Sequence, residues 1–371
     1  SGSINVSTLA ALAIVGAGIL GLGAAAAAID RGLTVAVSER SASIQGASVR
    51  NFGHVATQAQ AGDAAELAIR ANELWRSLAD RAGYWLRRSG TLIVARHEDE
   101  LAALEQASVG TLLTGADVAE RAPVLGAIGG AFLPTDLQVD PRAAAPTIAA
   151  HLAERGVRFH WRTSATGAEP GVLHTSRGDV RAEAIVVAVG HDVDELFPVV
   201  AEDAGVVRCA LDMLAGDGVG LPMPVPTGSS LLRYGAFAGT DATAAIRARL
   251  TVEHPELLEL DVNQMATERP DGTMFVGDTH RRGVSVPPFQ RERDAEVLHG
   301  LARGLFDAPL RIRERWQGVY ASAPADMLVA TPVEGVRIVS VTTGIGMTIG
   351  LGLAERVVTD LIDPSTTGAS T

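Results

Sequence analysis

The sequence predicts an α/β fold, in which a discontinuous domain built on a parallel sheet carries an inserted domain with a mostly antiparallel β-sheet. Three observations predict it. Apolar runs near residues 14, 35, 186 and 338 are typical of strands buried in a parallel sheet. Two of these runs end in Gly-rich turns that open helical segments. Residues 206–277 alternate short strand-like runs with Pro and Gly turns, which favours an antiparallel sheet.

The first element is a strand, a Gly-rich turn, a helix and a second strand over residues 12–37. Gly16 permits a tight turn, Gly18 lets a pyrophosphate approach the backbone, and Gly21 lets the helix pack close to the strand. The helix N-terminus presents free N–H groups and the positive end of its dipole. This Rossmann-like unit predicts a dinucleotide site; the alternative is that the glycines serve packing alone.

An acidic residue supports the dinucleotide prediction. Glu39 follows Gly21 by eighteen residues, close to the ~20 typical of the acid that binds a ribose hydroxyl. Arg40 follows at the same strand end. The Gly-rich turn and Glu39 together are compatible with either NAD or FAD as the dinucleotide.

A second Gly-rich turn favours FAD over NAD. Residues 342–348 follow the apolar run 336–341 and precede the last predicted helix. If both strands lie in one sheet, both turns face the same edge of it. The N–H groups of residues 346–348 and the helix dipole could then stabilise the negative charge of a reduced flavin. The alternative is a tight turn without a ligand.

The predicted domain limits follow from the strand types. The first domain takes residues 4–83, 140–200 and 315–371, and the second takes residues 84–139 and 201–314. Within the second domain, the sequence predicts a hairpin-like pair of strands and a further strand, over residues 84–88, 91–95 and 230–236.

Composition and charge exclude several classes of function. The formal net charge of −12 argues against nucleic acid or an anionic membrane as partner. Residues 9–29 are apolar, but their glycines follow the nucleotide pattern, so we expect no membrane span. The single Cys209 leaves no intrachain disulfide and no cysteine-rich metal site, and it fits a cytoplasmic protein. All 31 residues counted as Lys or Arg are arginine, which removes Schiff-base chemistry on lysine.

Five segments are spread over nearly the whole chain: residues 14–21, 46–53, 187–190, 316–318 and 346–348. Together, and in this order, they resemble the glycine/sarcosine/D-amino-acid oxidase (DAO) family of FAD enzymes. The resemblance implies that FAD lies extended in one domain, with its flavin covered by an antiparallel substrate domain. It also implies oxidation of C–N bonds in amines by hydride transfer to flavin N5.

The resemblance adds contacts to those predicted from the two turns. It implies that Ser48, Arg50, Asn51 and Phe52 line the flavin and that the backbone of Ala165 meets the adenine. The full predicted FAD set is Gly16, Gly18, Ile19, Leu20, Gly21, Glu39, Arg40, Ser48, Val49, Arg50, Asn51, Phe52, Ala165, Ala188, Gly190, Gly344, Gly346, Met347 and Thr348. Cys209 does not match the family's covalent-flavin cysteine, so we expect non-covalent FAD.

Two departures from the family pattern bear on the substrate and the electron acceptor. Amino-acid oxidases of the family commonly clamp the carboxylate with an arginine where this chain has Tyr320. Sarcosine-oxidase-like members use a lysine near the position of Phe275 to promote reaction with oxygen, so oxygen or another acceptor stays open here. Residues 48–53, 232–234, 276–280 and 315–320 look similar to a branch linked to aminophosphonate breakdown.

Four side chains are candidates for the chemistry at the substrate. His280 follows a strand end and could accept a proton from the substrate ammonium or bind an anion, and His54 lies just past the flavin loop. Arg233, expected in a strand, could bind a phosphonate through its guanidinium fork. Tyr320 could donate a hydrogen bond to the substrate. The alternatives are a loop histidine and a core tyrosine.

The sequence therefore predicts an FAD-dependent amine oxidoreductase that deaminates a small amine, with an aminophosphonate as the preferred substrate, without a metal. One alternative is an amino-acid oxidase of the glycine, sarcosine or D-amino-acid type with an unusual carboxylate clamp. The other is a flavin-binding protein without turnover.

Overall fold

The computed structural model of the protein describes residues 9–364, so residues 4–8 and 365–371 of the predicted first domain lie outside the described residues. The helices are α1 (Ile19–Asp30), α2 (Gly62–Ala82), α3 (Glu98–Ala107), α4 (Gly115–Arg121), α5 (Pro141–Glu154), α6 (Val193–Leu196), α7 (Pro198–Ala204), α8 (Asp241–Glu253), α9 (Pro255–Glu259), α10 (Glu292–Phe306) and α11 (Gly346–Ile362).

The strands are β1 (Ala10–Val15), β2 (Val35–Ser38), β3 (His54–Val55), β4 (Leu86–Arg87), β5 (Thr91–Ala95), β6 (Thr111–Thr114), β7 (Gly129–Leu133), β8 (Leu137–Val139), β9 (Arg158–His160), β10 (Ala165–Glu169), β11 (Val172–Thr175), β12 (Gly178–Val187), β13 (Val207–Asp217), β14 (Val225–Pro226), β15 (Met265–Glu268), β16 (Thr273–Gly277), β17 (Arg281–Gly283), β18 (Ile312–Ser322), β19 (Met327–Ala330) and β20 (Val336–Val341).

A parallel sheet in the order β9-β2-β1-β12-β20 organises the first half of the fold, with β19 antiparallel at the β20 edge. Ile14 of β1 lies beside Val37 of β2 and Val186 of β12, and all three side chains are fully buried. Strands buried on both faces need apolar side chains at every position. The predicted common sheet of the four apolar runs is therefore confirmed.

Small residues let the helices pack closely on this sheet. Residues 24–28 of α1, all alanine, are buried, and a Cβ on Gly23 would lie 3.0 Å from the Cβ of Ala354 in α11. Side chains larger than alanine would push α1 and α11 apart. The apolar character of residues 9–29 is thus explained by burial inside the protein. Within residues 9–364, no helix combines the length and the apolar character needed to cross a bilayer.

An antiparallel sheet forms the second half of the fold, in the order β14-β15-β16-β13-β17, with β18 also paired to β13. The register of β13 and β18 runs from Val207 opposite Ser322 to Gly216 opposite Ile312. The predicted α/β class with an antiparallel second sheet is confirmed. The predicted domain limits stay a prediction, and β18 straddles the one at residue 315.

Two local predictions are wrong. Residues 84–88 and 91–95 do not pair with each other: β4 pairs with β8, and β5 pairs with β7. Gly90, at φ +68°, donates its N–H to the carbonyl of Asp136, which sends the two strands to different partners. Residues 230–236 form no strand, because a 3₁₀ helix over Gly228–Leu232 is held by the bond from Ser230 Oγ to Asn263 Oδ1 (2.6 Å).

Candidate active site

In the first Gly-rich turn, Gly16 and Gly21 allow close backbone packing, and Gly18 precedes the first residue of α1. Gly16 has φ +100°, and a Cβ there would overlap the carbonyl oxygen of Ala188. A Cβ on Gly21 would overlap the carbonyl of Gly16. Gly18 is the N-cap of α1 and supplies no side chain to its first turn. Ser48 Oγ takes the N–H of Ile19, so the amides of Leu20 and Gly21 are the ones that helix geometry leaves available to an anion.

Glu39 is fixed at the end of β2, beside this turn. Its Oε2 accepts the N–H of Ala17 and its Oε1 accepts the N–H of Ser41, both at 3.0 Å. Each carboxylate oxygen has further acceptor capacity for a hydroxyl donor. Arg40 points to a different partner, Asp192, at 2.8 Å.

The second Gly-rich turn leads into α11, which also begins without a side-chain cap. A Cβ on Gly346 would meet no atom within 4 Å, so the backbone here borders open space. The Thr348 N–H donates to the carbonyl of Ile345 at 3.0 Å. The amides of residues 346–348 were predicted to face the flavin, and the Thr348 amide is thus already used within the helix. The amides of Gly346 and Met347 are left without an acceptor inside the helix.

The loop over residues 46–53 is held rigid by its own polar side chains. Asn51 Nδ2 donates to the carbonyls of Ala47 (2.9 Å) and Ser48 (3.0 Å), and its Oδ1 accepts the N–H of Gly53 (2.7 Å). Ser48 Oγ accepts the N–H of Ile19 at 2.9 Å. The loop is thereby tied to the first turn of α1.

Arg50 joins the same loop to the antiparallel sheet. Its Nε donates to the carbonyl of Gln45 (2.6 Å) and its Nη1 to the carbonyl of Gln317 (3.1 Å). Trp316 Nε1 donates back to the Arg50 carbonyl at 3.1 Å. Phe52 packs in the apolar cluster beneath this sheet.

One cavity of about 920 Å³ connects both turns, the loop and the antiparallel sheet. It is lined by all the predicted FAD residues except Gly21 and Val49, and by the four candidate substrate residues. Its volume is at the upper end of the ~300–1,000 Å³ range of ligand pockets. Two helix N-termini that keep free amides, a fixed acid and a long cavity fit a dinucleotide with a flavin ring.

Arg233 brings positive charge to the cavity wall. Its Nη1 lies 2.7 Å from Asp261 Oδ1, and Arg282 Nη1 lies 2.8 Å from the other oxygen of the same carboxylate. Burial alone would raise the pKa of Asp261, but Arg233 and Arg282 outweigh it and hold that pKa below its usual value. Two cations share the Asp261 carboxylate, so Asp261 alone does not balance them, and Asp278 is the other carboxyl group that acts on Arg233. Arg282 does not line the cavity.

His280 is a buried, neutral imidazole. Its Nδ1 lies 2.6 Å from the Asp261 carbonyl, which can only accept, so Nδ1 carries the proton and Nε2 is the unprotonated nitrogen. Burial, with the positive charge of Arg233, lowers the pKa of His280 to about 3. Nε2 lies 3.6 Å from Asp278 Oδ2.

Asp278 is a cavity residue that the sequence reasoning missed. Its backbone is fixed by mutual hydrogen bonds with Asn263, of 2.8 and 2.9 Å. Its side chain is 7% exposed, and burial raises its pKa to about 7. The signal available in the sequence was its position at the end of β16, two residues before His280.

Tyr320, on β18, faces the second turn. A Cβ on Gly344 would lie 3.2 Å from its hydroxyl oxygen, and its ring meets that of His280 edge-on at 6.3 Å. Burial raises the pKa of Tyr320, so its hydroxyl stays protonated and can donate. Arg233, His280, Asp278 and Tyr320 are therefore brought together.

His54, on β3, reaches the cavity from another direction. Its Nε2 lies 2.8 Å from Thr91 Oγ1, and that hydroxyl donates to Asp136 Oδ2 at 2.7 Å. The single hydroxyl proton is used on the carboxylate, so His54 Nε2 must be the donor to Thr91. Its ring meets the Tyr234 ring edge-on at 6.4 Å. Among residues 9–364, no group of three or more His, Cys, Asp or Glu side chains is arranged to hold a metal ion.

A parallel sheet with two Gly-rich turns that open into one long cavity, under a charged antiparallel sheet, is the arrangement of a dinucleotide-binding protein. The sequence identifies which one. The chain belongs to the DAO family, described as FAD dependent oxidoreductase, whose sequence model matches residues 11–361. The predictions of FAD and of an oxidoreductase are confirmed. No curated protein matches the chain.

Solved structures share the fold at low sequence identity. Glycine oxidase from Geobacillus kaustophilus superposes with a TM-score of 0.78 at 18% identity, over 98% of this chain and 96% of that chain. Iminodiacetate oxidase from Chelativorans sp. BNC1 gives 0.74 at 17%, over 95% of each. L-α-glycerophosphate oxidase from Mycoplasma pneumoniae, with FAD bound, gives 0.74 at 17%, over 96% and 95%.

Proposed function

We propose that the protein oxidatively deaminates a small amine that carries a phosphonate-like anion. The observation that carries this proposal is Arg233, a half-buried cation on the cavity wall whose charge is only partly balanced by Asp261. A phosphonate carries up to two negative charges and suits the guanidinium fork. The absence of arginine at position 320 argues against the family's usual carboxylate clamp.

The chain would hold FAD at the sites already described. The N-terminus of α1 and Glu39 would take the pyrophosphate and ribose, and the N-terminus of α11 would take the electron-rich edge of the flavin. Cys209 is fully buried in β13, which supports the prediction of non-covalent attachment. Bound FAD would supply the acceptor for a hydride from the substrate carbon next to nitrogen.

The remaining residues bind and orient the substrate. Arg233 would bind the anion, and the protonated Tyr320 hydroxyl would donate a hydrogen bond to the substrate beside the second turn. With the anion held at one end, the C–H next to the amine is presented in one orientation. The imine that results takes up water and gives an aldehyde or keto product and ammonia. The final electron acceptor is oxygen or another oxidant, and we place the reaction in the cytoplasm.

Glycine oxidase and iminodiacetate oxidase, both named for amino compounds, support an amine substrate. They equally support the alternative of an amino-acid oxidase with another carboxylate clamp. The two differ in the anion that the site prefers, so matched substrates separate them.

The test is anaerobic bleaching of flavin absorbance in the purified holoprotein. The substrates form two pairs that differ only in the anion: aminomethylphosphonate with glycine, and 2-aminoethylphosphonate with β-alanine; sarcosine and D-amino acids complete the set. We expect faster bleaching by the phosphonate of at least one pair. Faster bleaching by carboxylates would favour the amino-acid oxidase, and flavin that stays oxidised with every amine would favour a binding protein without turnover.

Arg233→Met tests the anion site directly. Losing a charged hydrogen bond costs about 1.5–3 kcal/mol, so we expect the apparent Kd of the phosphonate to rise about 10–100-fold with FAD content unchanged. Asp261 keeps its contact with Arg282 in this variant. The matched control is Arg313→Met, which removes a half-exposed arginine paired with Asp217. Equal effects of the two substitutions would refute the role of Arg233.

A further inference from the structure

The cavity holds one buried carboxyl group that the proposed function leaves without a role. Asp278 lines the cavity, and its Oδ1 has no hydrogen-bond partner in the described part of the chain. A buried oxygen without a partner is costly unless a ligand satisfies it. We propose that Asp278 accepts a proton from the substrate ammonium group before the C–H bond breaks, an inference that rests on the proposed function.

The geometry favours Asp278 over His280 as the proton acceptor. The Nδ1–H of His280 is used on the Asp261 carbonyl, and the adjoining Arg233 disfavours a second positive charge on the ring. Asp278 has one oxygen near His280 Nε2 and the other without a partner. An unpartnered carboxylate oxygen accepts from an ammonium N–H, and the charges of the two groups attract.

Groups from several elements act on the charge of Asp278. They are His280, Arg233, Tyr234, Asp261, Asn263, Tyr320 and Cys209. Arg233 favours the carboxylate and Asp261 opposes it, but burial dominates and brings the pKa of Asp278 to about 7. A base whose pKa lies near the working pH is the most effective kind.

The proposed step balances without a further reactant. The ammonium N–H bond breaks, its electron pair stays on nitrogen, and the proton forms an O–H bond on Asp278. The neutral amine would then carry the lone pair that favours loss of hydride from the neighbouring carbon, for which bound FAD would supply the acceptor. The proton on Asp278 returns to solvent after the product leaves.

The test compares three variants of the holoenzyme by the rate of anaerobic flavin reduction against pH. In the wild type we expect this rate to fall below pH about 7, as Asp278 becomes protonated. Asp278→Asn removes the base, so at pH 7 the rate should drop about 10²–10⁴-fold and the acid limb near pH 7 should be lost. The rate should instead rise with the neutral fraction of the substrate amine, towards pH about 10. His280→Asn should keep the acid limb, and the matched control Asp217→Asn, on an exposed carboxyl, should behave as the wild type.

Infrared spectroscopy of the substrate-free holoenzyme supplies a readout independent of turnover. The wild type should show a buried carboxyl C=O band that disappears with a midpoint near pH 7, and Asp278→Asn should lack it. The wild-type spectrum tests the titration of the buried carboxyl group even if a variant fails to fold or to bind FAD.

The outcomes separate the two proposals. If no amine bleaches the wild-type flavin, the proposed function fails. If amines bleach it but Asp278→Asn keeps the wild-type rate and acid limb, only the role of Asp278 fails. The role of Asp278 would also be refuted if the acid limb of the reduction rate were lost in His280→Asn but kept in Asp278→Asn. A wild-type carboxyl band that does not titrate between pH 6 and 8 would refute it as well.

Discussion

Substitution of Gly16 by alanine perturbs the first Gly-rich turn in two ways. Gly16 has φ +100°, in the region where an L-residue loses about 1–2 kcal/mol. The new Cβ would also overlap the carbonyl oxygen of Ala188, a backbone atom that directly follows β12. Overpacking of this kind costs about 1–3 kcal/mol. We therefore expect the free energy of unfolding to fall by about 2–5 kcal/mol.

Two other glycines separate these contributions. Gly32 has φ +76°, but a Cβ there would meet no atom within 4 Å, so Gly32→Ala should lose only the backbone part, about 1–2 kcal/mol. Gly346 has the same free space without a positive φ, so Gly346→Ala should not lower stability. The three variants differ by one methyl group each from the wild type.

Urea unfolding of the FAD-free protein, followed by tryptophan fluorescence, measures these differences without the stabilisation that a bound ligand adds. The expected order of stability is Gly346→Ala, then Gly32→Ala, then Gly16→Ala. A Gly16→Ala protein as stable as Gly32→Ala would refute the reasoning, because it would mean that the contact with Ala188 relaxes at no cost.

Two further substitutions probe the ends of the cavity. In Glu39→Gln, either the Ala17 amide or the Ser41 amide loses its acceptor, because a glutamine side chain has only one acceptor oxygen. We expect the affinity for FAD, measured by equilibrium dialysis, to fall about 10-fold or more. The control Glu296→Gln, at an exposed position, should leave this affinity unchanged. The pKa of Asp278 is raised in the folded state, so its proton stabilises the fold below pH about 4 and that contribution is lost as pH rises through about 7. Asp278→Asn should therefore gain stability relative to the wild type between pH 4 and 8, and a constant difference in urea midpoints would contradict this.

The parallel half of the fold could be predicted because its signals are local. A strand buried on both faces is apolar at every position, as Ile14 and Val186 illustrate, and the glycines of the turn follow from close backbone contacts. The antiparallel half was less predictable. Residues 230–236 look like a strand, but the contact of Ser230 with Asn263, 33 residues later, fixes a 3₁₀ helix instead.

The candidate site was predictable in its members but not in its electrostatics. His280 could be singled out because it follows a strand end, and Tyr320 because it stands where the family resemblance expects an arginine; Arg233 was a candidate for its guanidinium charge, and all three line the cavity. Nothing in the local sequence indicates that burial would suppress the charge of His280 or raise the pKa of Asp278. Those effects come from groups that the fold brings in from distant parts of the chain.

Arg233 couples the two ends of the proposed substrate. Its positive charge lowers the proton affinity of both His280 and Asp278. A bound anion would offset that charge, and the proton affinity of Asp278 would then rise. Because an acceptor with a higher proton affinity takes the ammonium proton more readily, binding of the anion would strengthen the ionised form of Asp278 as a base and move the acid limb of the rate to higher pH. A simple amine without an anion lacks this effect, so the same arginine that holds the substrate would also favour reaction of the correct one.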